Sequence, residues 1–313
     1  MLTSQPFNQA LANAKSILLA GAGGGYDVLG AIPLYCELRA AGKQAHLASL
    51  SFTALRELAG ARPVAELPHL YEITGAAASA SVYCPEAWLA RWLSERFEAP
   101  TPVWCFEKTG VVPLASCYAA LVEQLGIDTI VLVDGGVDLI LRGDESSLGT
   151  PAEDLCSLAA VSLLPRITSL VACVGFGAEM RDDIPHAQVL ERIADLSSKQ
   201  HFLGTAALIR GMVSAEAYEN ALAYVFSNQQ QVKRSHVHTV VSKAVCGVFG
   251  YQGPDTWISP LSAIYWFFSL PGVARAHLFL DHLLETRSMF EVTSMIEGIR
   301  KTMRVREATV VPL

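Results

Sequence analysis

The chain has 313 residues, 51% of them hydrophobic and 17% charged, with a formal net charge of −7. That length and apolar share exclude a disordered chain and allow a substantial core in one large or two small domains. The acidic balance, without a lysine- or arginine-rich stripe, excludes a nucleic-acid footprint, and the short basic groups Lys233-Arg234, Arg300-Lys301 and Arg304–Arg306 read as solvated helix faces.

In chain order, short apolar runs alternate with amphipathic segments. Ser16–Ala20 is too short for a helix and empties into Gly21-Ala22-Gly23-Gly24-Gly25-Tyr26-Asp27; a helical pattern then covers Asp27–Ala41, with Asp27 as its cap and Gly42 as its stop. Strand-like Ala45–Leu50, helical Pro85–Phe97, strand-like Pro102–Phe106 and helical Leu114–Leu125, stopped by Gly126, follow. Next come Thr129–Val133, a helix over Pro151–Leu163 with Thr150 as N-cap and proline at its first position, Ser169–Val174, and a helix over Pro185–Leu196. This alternation predicts a Rossmann-like, doubly wound α/β fold with a mainly parallel sheet and flanking helices. Beyond Leu196 the pattern changes: residues 214–227 and 275–303 read as extra C-terminal helices. Trp257–Ala274 is the most membrane-like stretch, but Pro260, Pro271 and three serines make it a buried helix. A single domain over residues 1–313, with a βα core over about 16–196, is the expected organisation. Seven scattered cysteines, none in a CxxC pair, suit reduced and mostly buried thiols. Without a signal-peptide pattern or a membrane span, a soluble cytoplasmic protein is expected.

In an open parallel sheet the ligand site lies beyond the carboxyl ends of the strands. After the first strand, Gly21, Gly23, Gly24 and Gly25 leave backbone N–H groups open to an anion, with Asp27 beside them. The match to a dinucleotide fingerprint is loose: Tyr26 stands where a third glycine is required, and Ser49, Leu50 and Ser51 stand where a ribose-binding acid is required. A phosphate-bearing or carboxylate-bearing small molecule is the expected ligand; the alternative is a tight turn that lets strand and helix pack closely. After the third strand, Glu107 and Lys108 are either substrate contacts or a surface charge pair.

After Val133 come Asp134, Gly135, Gly136 and Asp138, and six carboxylates fall between Asp134 and Asp154. Converging carboxylates repel unless a cation or a proton sits among them, so Asp134 and Asp138 are candidates for a divalent ion such as Mg²⁺ or for acid–base catalysis. Glu153 and Asp154 read instead as first-turn residues of a helix. After the fifth strand, Gly175 and Gly177 allow close backbone approach, Glu179 is a plausible ligand contact, and His186 reads as part of a helix first turn. His236 and His238 share a face if their segment is extended, and a structural role outweighs metal binding without a third ligand. Tyr251 and Trp257 flank a turn and are able to stack on a ring. No GxSxG elbow, HExxH helix or Walker A ending is present.

The run Gly21–Gly30, together with Asp134-Gly135-Gly136-Val137-Asp138 and Arg142-Gly143-Asp144-Glu145, resembles an uncharacterised prokaryotic family, domain of unknown function 1152, over most of the chain. The resemblance implies a Rossmann-like α/β protein and supplies no reaction. A looser similarity is to the α/β folds of sirtuins and deoxyhypusine synthase, where a Gly-Ala-Gly loop meets a nucleotide; the later sirtuin motifs are not evident. The leading expectation is an enzyme acting on a phosphorylated metabolite, a nucleotide or phosphosugar, by transfer or hydrolysis. The alternatives are a non-catalytic metabolite-binding or regulatory protein, able to form a homo-oligomer, and an NAD-dependent oxidoreductase.

Overall fold

The computed structural model describes residues 5–229 and 234–308, so Lys233 of the first basic pair lies outside the described residues. The strands are β1 (Ser16–Gly21), β2 (Gln44–Leu50), β3 (Arg62–Val64), β4 (Leu67–Ile73), β5 (Val103–Phe106), β6 (Thr129–Asp134), β7 (Thr168–Val174), β8 (Phe202–Ala207), β9 (Gly250–Tyr251), β10 (Trp257–Ile258) and β11 (Ile264–Ser269). The helices are α1 (Pro6–Ala12), α2 (Ile32–Ala40), α3 (Pro85–Phe97), α4 (Val111–Leu125), α5 (Pro151–Ser162), α6 (His186–Ser198), α7 (Val213–Asn228), α8 (His236–Val245), α9 (Leu270–Ala276), α10 (Leu280–Leu283) and α11 (Met289–Thr302).

Nine strands form one sheet in the order β3-β4-β5-β2-β1-β6-β7-β11-β8. Its centre, β5-β2-β1-β6-β7, is parallel and consists of the five strands read from the sequence. The flanks are antiparallel: β4 on β5, β3 on β4, β11 on β7 and β8 on β11. Both faces of the sheet are covered. Ile17 and Leu19 of β1 pack on one face with Ile32, Leu89 and Leu222; Leu18 and Ala20 pack on the other with Leu114 and Leu158. Each of these leucines and isoleucines contributes about 1.5–3 kcal/mol on burial, which is why short apolar runs suffice to specify the central strands.

The C-terminal third departs from the sequence reading. Trp257–Ala274 is not one buried helix: it contains β10, a short 3₁₀ turn at Pro260–Ala263, β11 and the start of α9. The aromatic run Ile264–Ser269 is β-favouring, and pairing on both edges with β7 and β8 selects the extended form. Residues 275–303 are likewise divided among α9, α10 and α11. The first helical segment opens as a 3₁₀ turn at Asp27–Ala31 before α2, and the Asp27 side chain does not cap it. His236 and His238 lie in α8 and are not extended. Gly126 does end α4, in the left-handed conformation (φ 61°), with its N–H on the Val122 carbonyl.

The connection from β1 through α2 packs on one face and that from β6 through α5 packs on the other. Their loops therefore diverge at the carboxyl ends of adjacent strands, and a crevice opens between them.

Candidate functional site

That crevice is a cleft of about 210 Å³, and six of the residues lining it are carboxylates: Asp27, Asp134, Asp138, Asp154, Glu179 and Asp182. Among the described residues, no lysine or arginine lines it. Asp27 comes from the loop after β1, Asp134 from the end of β6, Asp138 from the loop beyond it and Asp154 from the first turn of α5. Glu179 and Asp182 come from a 3₁₀ turn, Ala178–Asp182, that follows β7.

Glycines make this convergence possible. A Cβ on Gly23 would lie 2.6 Å from Asp154 Oδ1 and 2.8 Å from Asp27 Oδ2. A Cβ on Gly135 would lie 2.7 Å from Asp27 Oδ1, and one on Gly136 would lie 2.6 Å from Glu179 Oε1. Gly149, at a φ of 63°, leaves the same kind of room for Asp138 Oδ2. Four glycines thus face four carboxylates, each pair closer than a methyl group permits.

The acids are also held in place. Gly23 N–H donates to Asp27 Oδ2 at 2.7 Å, and Gly135 N–H donates to the same carboxylate. Leu139 N–H donates to Asp134 Oδ2 at 3.3 Å, and the Cys173 thiol, in register beside it on β7, also bonds to Asp134. Val137 N–H donates to Glu179 Oε2 at 2.7 Å, and Thr150 N–H to Asp138 Oδ2 at 3.4 Å. Glu179, when protonated, donates a hydrogen bond to Asp138, which lowers Asp138 and raises Glu179. Asp154 differs: it is 3% exposed, and its Oδ1 has no hydrogen-bond partner among the described residues.

Burial pushes all five of Asp27, Asp134, Asp138, Asp154 and Glu179 upward, and repulsion from neighbouring carboxylates adds to it. Asp27 is raised to about 7 and Asp138 to about 6; Asp134, Asp154 and Glu179 stand well above the ordinary carboxylate range. One oxygen from each of Asp27, Asp134 and Asp154 lies within 4.8 Å of the other two, a spacing that closes around a single oxygen-loving cation with little movement.

A second layer fixes the loops. Ser157 Oγ donates to the Ala22 carbonyl at 2.7 Å, and Tyr265 Oη donates to the Gly30 carbonyl at 2.8 Å. His238, 1% exposed, lies 2.8 Å from the Tyr26 carbonyl through Nε2 and 2.8 Å from Tyr218 Oη through Nδ1. A carbonyl only accepts, so Nε2 carries the proton and Nδ1 accepts from the tyrosine. Burial lowers this imidazole to about 4, and it stays neutral.

Of the residues singled out from the sequence, Gly23, Gly24, Asp27, Asp134, Gly135, Asp138 and Glu179 line the cleft, and Gly136 backs Glu179. Gly21 is the last residue of β1, and Gly25 lies against the Phe52 ring and Tyr83 Oη. Gly175 and Gly177, at φ of 101° and 89°, shape the turn that carries Glu179. Lys108 stands beside the cleft, 2.6 Å from Glu153 and 3.9 Å above the Phe52 ring centre. Glu107 turns away and pairs with Arg56 at 3.0 Å and His69 at 3.4 Å. His186 begins α6, against the Phe176 ring, and the exposed Tyr251 packs on Trp257.

Asp154, Asp182, Phe52, Gly149 and Thr150 line the cleft without having been chosen for it from the sequence. For Asp154 a signal existed. Glu153 and Asp154 are successive residues of one helix and point about 100° apart, so when Glu153 reaches out to Lys108, Asp154 turns into the cleft. Glu86 is a further buried acid, at 0% exposure, that accepts a hydrogen bond from Ser49 Oγ at 3.2 Å near the end of β2. It stands near the ribose-binding position of a dinucleotide fold but is sealed from any ligand.

A model of the family described as "Protein of unknown function (DUF1152)" matches residues 18–305, nearly the whole chain. No curated protein and no solved structure matches the chain significantly.

Proposed function

We propose, for a chain that belongs to the DUF1152 family, that the cleft binds a hard divalent cation such as Mg²⁺. The protein then acts as a metal-dependent enzyme on the phosphate group of a small metabolite, a nucleotide or phosphosugar. The observation that carries this reading is the convergence of Asp27, Asp134 and Asp154, with the buried Asp154 Oδ1 left without a partner. Oxygen-only donors favour Mg²⁺ or a similar ion, and such an ion takes phosphate oxygens in its remaining positions.

Electrostatics favours a phosphate on the cation over one on the glycine loop. Ala22 N–H is spent on the Val133 carbonyl and Gly23 N–H on Asp27, and a bare phosphate would meet six carboxylates. A dinucleotide is disfavoured for a separate reason: Phe52 packs against Gly24 and Gly25, where its pyrophosphate would have to approach. Seven free thiols, most of them buried, support a reducing compartment such as the cytoplasm. Among the described residues, no helix is long and apolar enough to cross a membrane.

The test is turnover of a panel of nucleotides and phosphosugars with Mg²⁺ or Mn²⁺, beside the Asp134→Asn variant. Metal-dependent release or transfer of phosphate, abolished in a folded Asp134→Asn protein, is the expected result. A metabolite that raises the melting temperature yet survives long incubation unchanged would replace the enzyme with a binding protein.

A further inference from the structure

We propose that the cleft takes two divalent cations side by side, the second held by Asp138 and Glu179, with Asp154 between the two and a substrate phosphate bridging them. This rests on the metal-dependent reading above and extends it to the metal count and to the way substrate is held.

Three observations carry it. First, the donors fall into two groups. Asp27, Asp134 and Asp154 bring oxygens within 4.8 Å of one another. Asp138 and Glu179 come from different loops, touch each other, and are each anchored by a backbone N–H, from Thr150 and Val137 respectively. Gly149 and Gly136 make room for this second pair as Gly23 and Gly135 do for the first group.

Second, Asp154 lines the same cleft as both groups. It is 3% exposed with Oδ1 unpartnered, and the carboxylates that act on it most strongly are Asp138, then Asp134 and Asp27. A carboxylate so placed supplies one oxygen to each of two cations about 3.5–4 Å apart.

Third, the charge of the ionised cleft favours it. One divalent cation offsets two of the five charges that Asp27, Asp134, Asp138, Asp154 and Glu179 carry when ionised, and a phosphate monoester brings about two more negative charges. Among the described residues no basic side chain lines the cleft to offset the rest. A second cation reduces the repulsion and presents two metal faces to two phosphate oxygens, a clamp for an anionic group in a wall of acids.

The experiment is a calorimetric titration of the full chain with Mn²⁺ at pH 7.5, with electron paramagnetic resonance on the loaded protein. Two Mn²⁺ per chain with a spin-coupled spectrum is the expected result. Glu179→Gln keeps an oxygen for Val137 N–H and should bind one Mn²⁺ with an uncoupled spectrum; Asp138→Asn is the second variant should the first fail to fold. Inorganic phosphate should tighten the second Mn²⁺ at least tenfold in the wild type and leave Glu179→Gln unaffected. One Mn²⁺ in the wild type, unaltered by Glu179→Gln, overturns the two-cation inference and leaves the metal-dependent reading standing. No Mn²⁺ binding at all overturns both.

Discussion

Gly136 lies directly against Glu179: a Cβ at position 136 would be 2.6 Å from the glutamate's carboxyl carbon and from Oε1. Gly136 is not among the residues with positive φ, so alanine is compatible with its backbone and the contact with Glu179 is what forbids it. Gly136→Ala should therefore fold, displace the carboxylate and weaken Mn²⁺ binding at least tenfold in a calorimetric titration. Gly177 is the contrast, with φ 89° and no atom nearer to a Cβ there than Ser262 Oγ at 4.0 Å. Gly177→Ala should cost about 1 kcal/mol of stability through the backbone alone. Equal metal affinities in wild type and Gly136→Ala would remove the role assigned to the glycines.

Asp154→Asn separates the metal-free protein from the loaded one. Burial and four neighbouring carboxylates oppose ionisation of Asp154 in the fold, whereas the unfolded chain ionises it freely. The amide removes that penalty, so in chelator at pH 7.5 the variant should be more stable than wild type by about 1–3 kcal/mol in urea unfolding. With saturating Mg²⁺ or Mn²⁺ the order should reverse. A variant less stable than wild type under both conditions would mean that Asp154 is a structural hydrogen-bonding group and not a ligand.

The pH response has a defined sign. Asp27 and Asp138 are raised to about 7 and about 6 in the fold, above the ordinary 3.8 of an unfolded aspartate. The folded chain thus holds more protons than the unfolded one between about pH 4 and pH 7. The contribution of these groups to metal-free stability is present below pH 4 and lost as pH rises through 6 and 7. Cation binding needs the ionised forms and strengthens over the same interval. The rise in melting temperature on adding Mn²⁺ should therefore be small at pH 5 and large at pH 7.5; an equal rise at both would contradict the carboxylate assignment.

His238 of α8 ties Tyr218 of α7 to the loop after β1 without itself lining the cleft. Its removal leaves Tyr218 Oη and the Tyr26 carbonyl without their partner, both close to the glycine loop. His238→Ala should cost about 2–4 kcal/mol in chemical unfolding, and His238→Gln, which restores a donor for Tyr26, should recover part of it.

Glu107→Gln serves as the distant control. Its partners Arg56 and His69 lie away from the cleft, and Arg56 is largely exposed, so less than about 1 kcal/mol should be lost and Mn²⁺ affinity should be unaltered. A tenfold fall in affinity would return Glu107 to the site.

The five parallel strands were legible because each is a short apolar run bounded by glycine, aspartate or proline, and burial on both faces leaves little freedom of assignment. The flanking strands were not. In β4 and β8 polar and small residues interrupt the pattern, and β11 was masked by an aromatic run that periodicity alone cannot divide between helix and strand. At the site, Asp27, Asp134, Asp138 and Glu179 were found because each follows a strand end and stands near glycines. Asp154 and Asp182 escaped because a helix first turn and an acidic loop are ordinary places for carboxylates. The glycines were read as room for a ligand's phosphate. Their neighbours in the fold are the protein's own acids, a distinction that needs side-chain positions and is invisible in spacing.

β11 enters the sheet between β7 and β8, although it follows both in the chain by more than fifty residues. During synthesis from the N-terminus, β7 must wait with one edge unpaired until Ile264–Ser269 has left the ribosome, while every cleft carboxylate has already emerged. The acids are thus translated first and braced last. A nascent chain stalled before Ile264 would present an open, apolar β edge and a half-supported anionic crevice, a state prone to capture by chaperones or by another copy of itself.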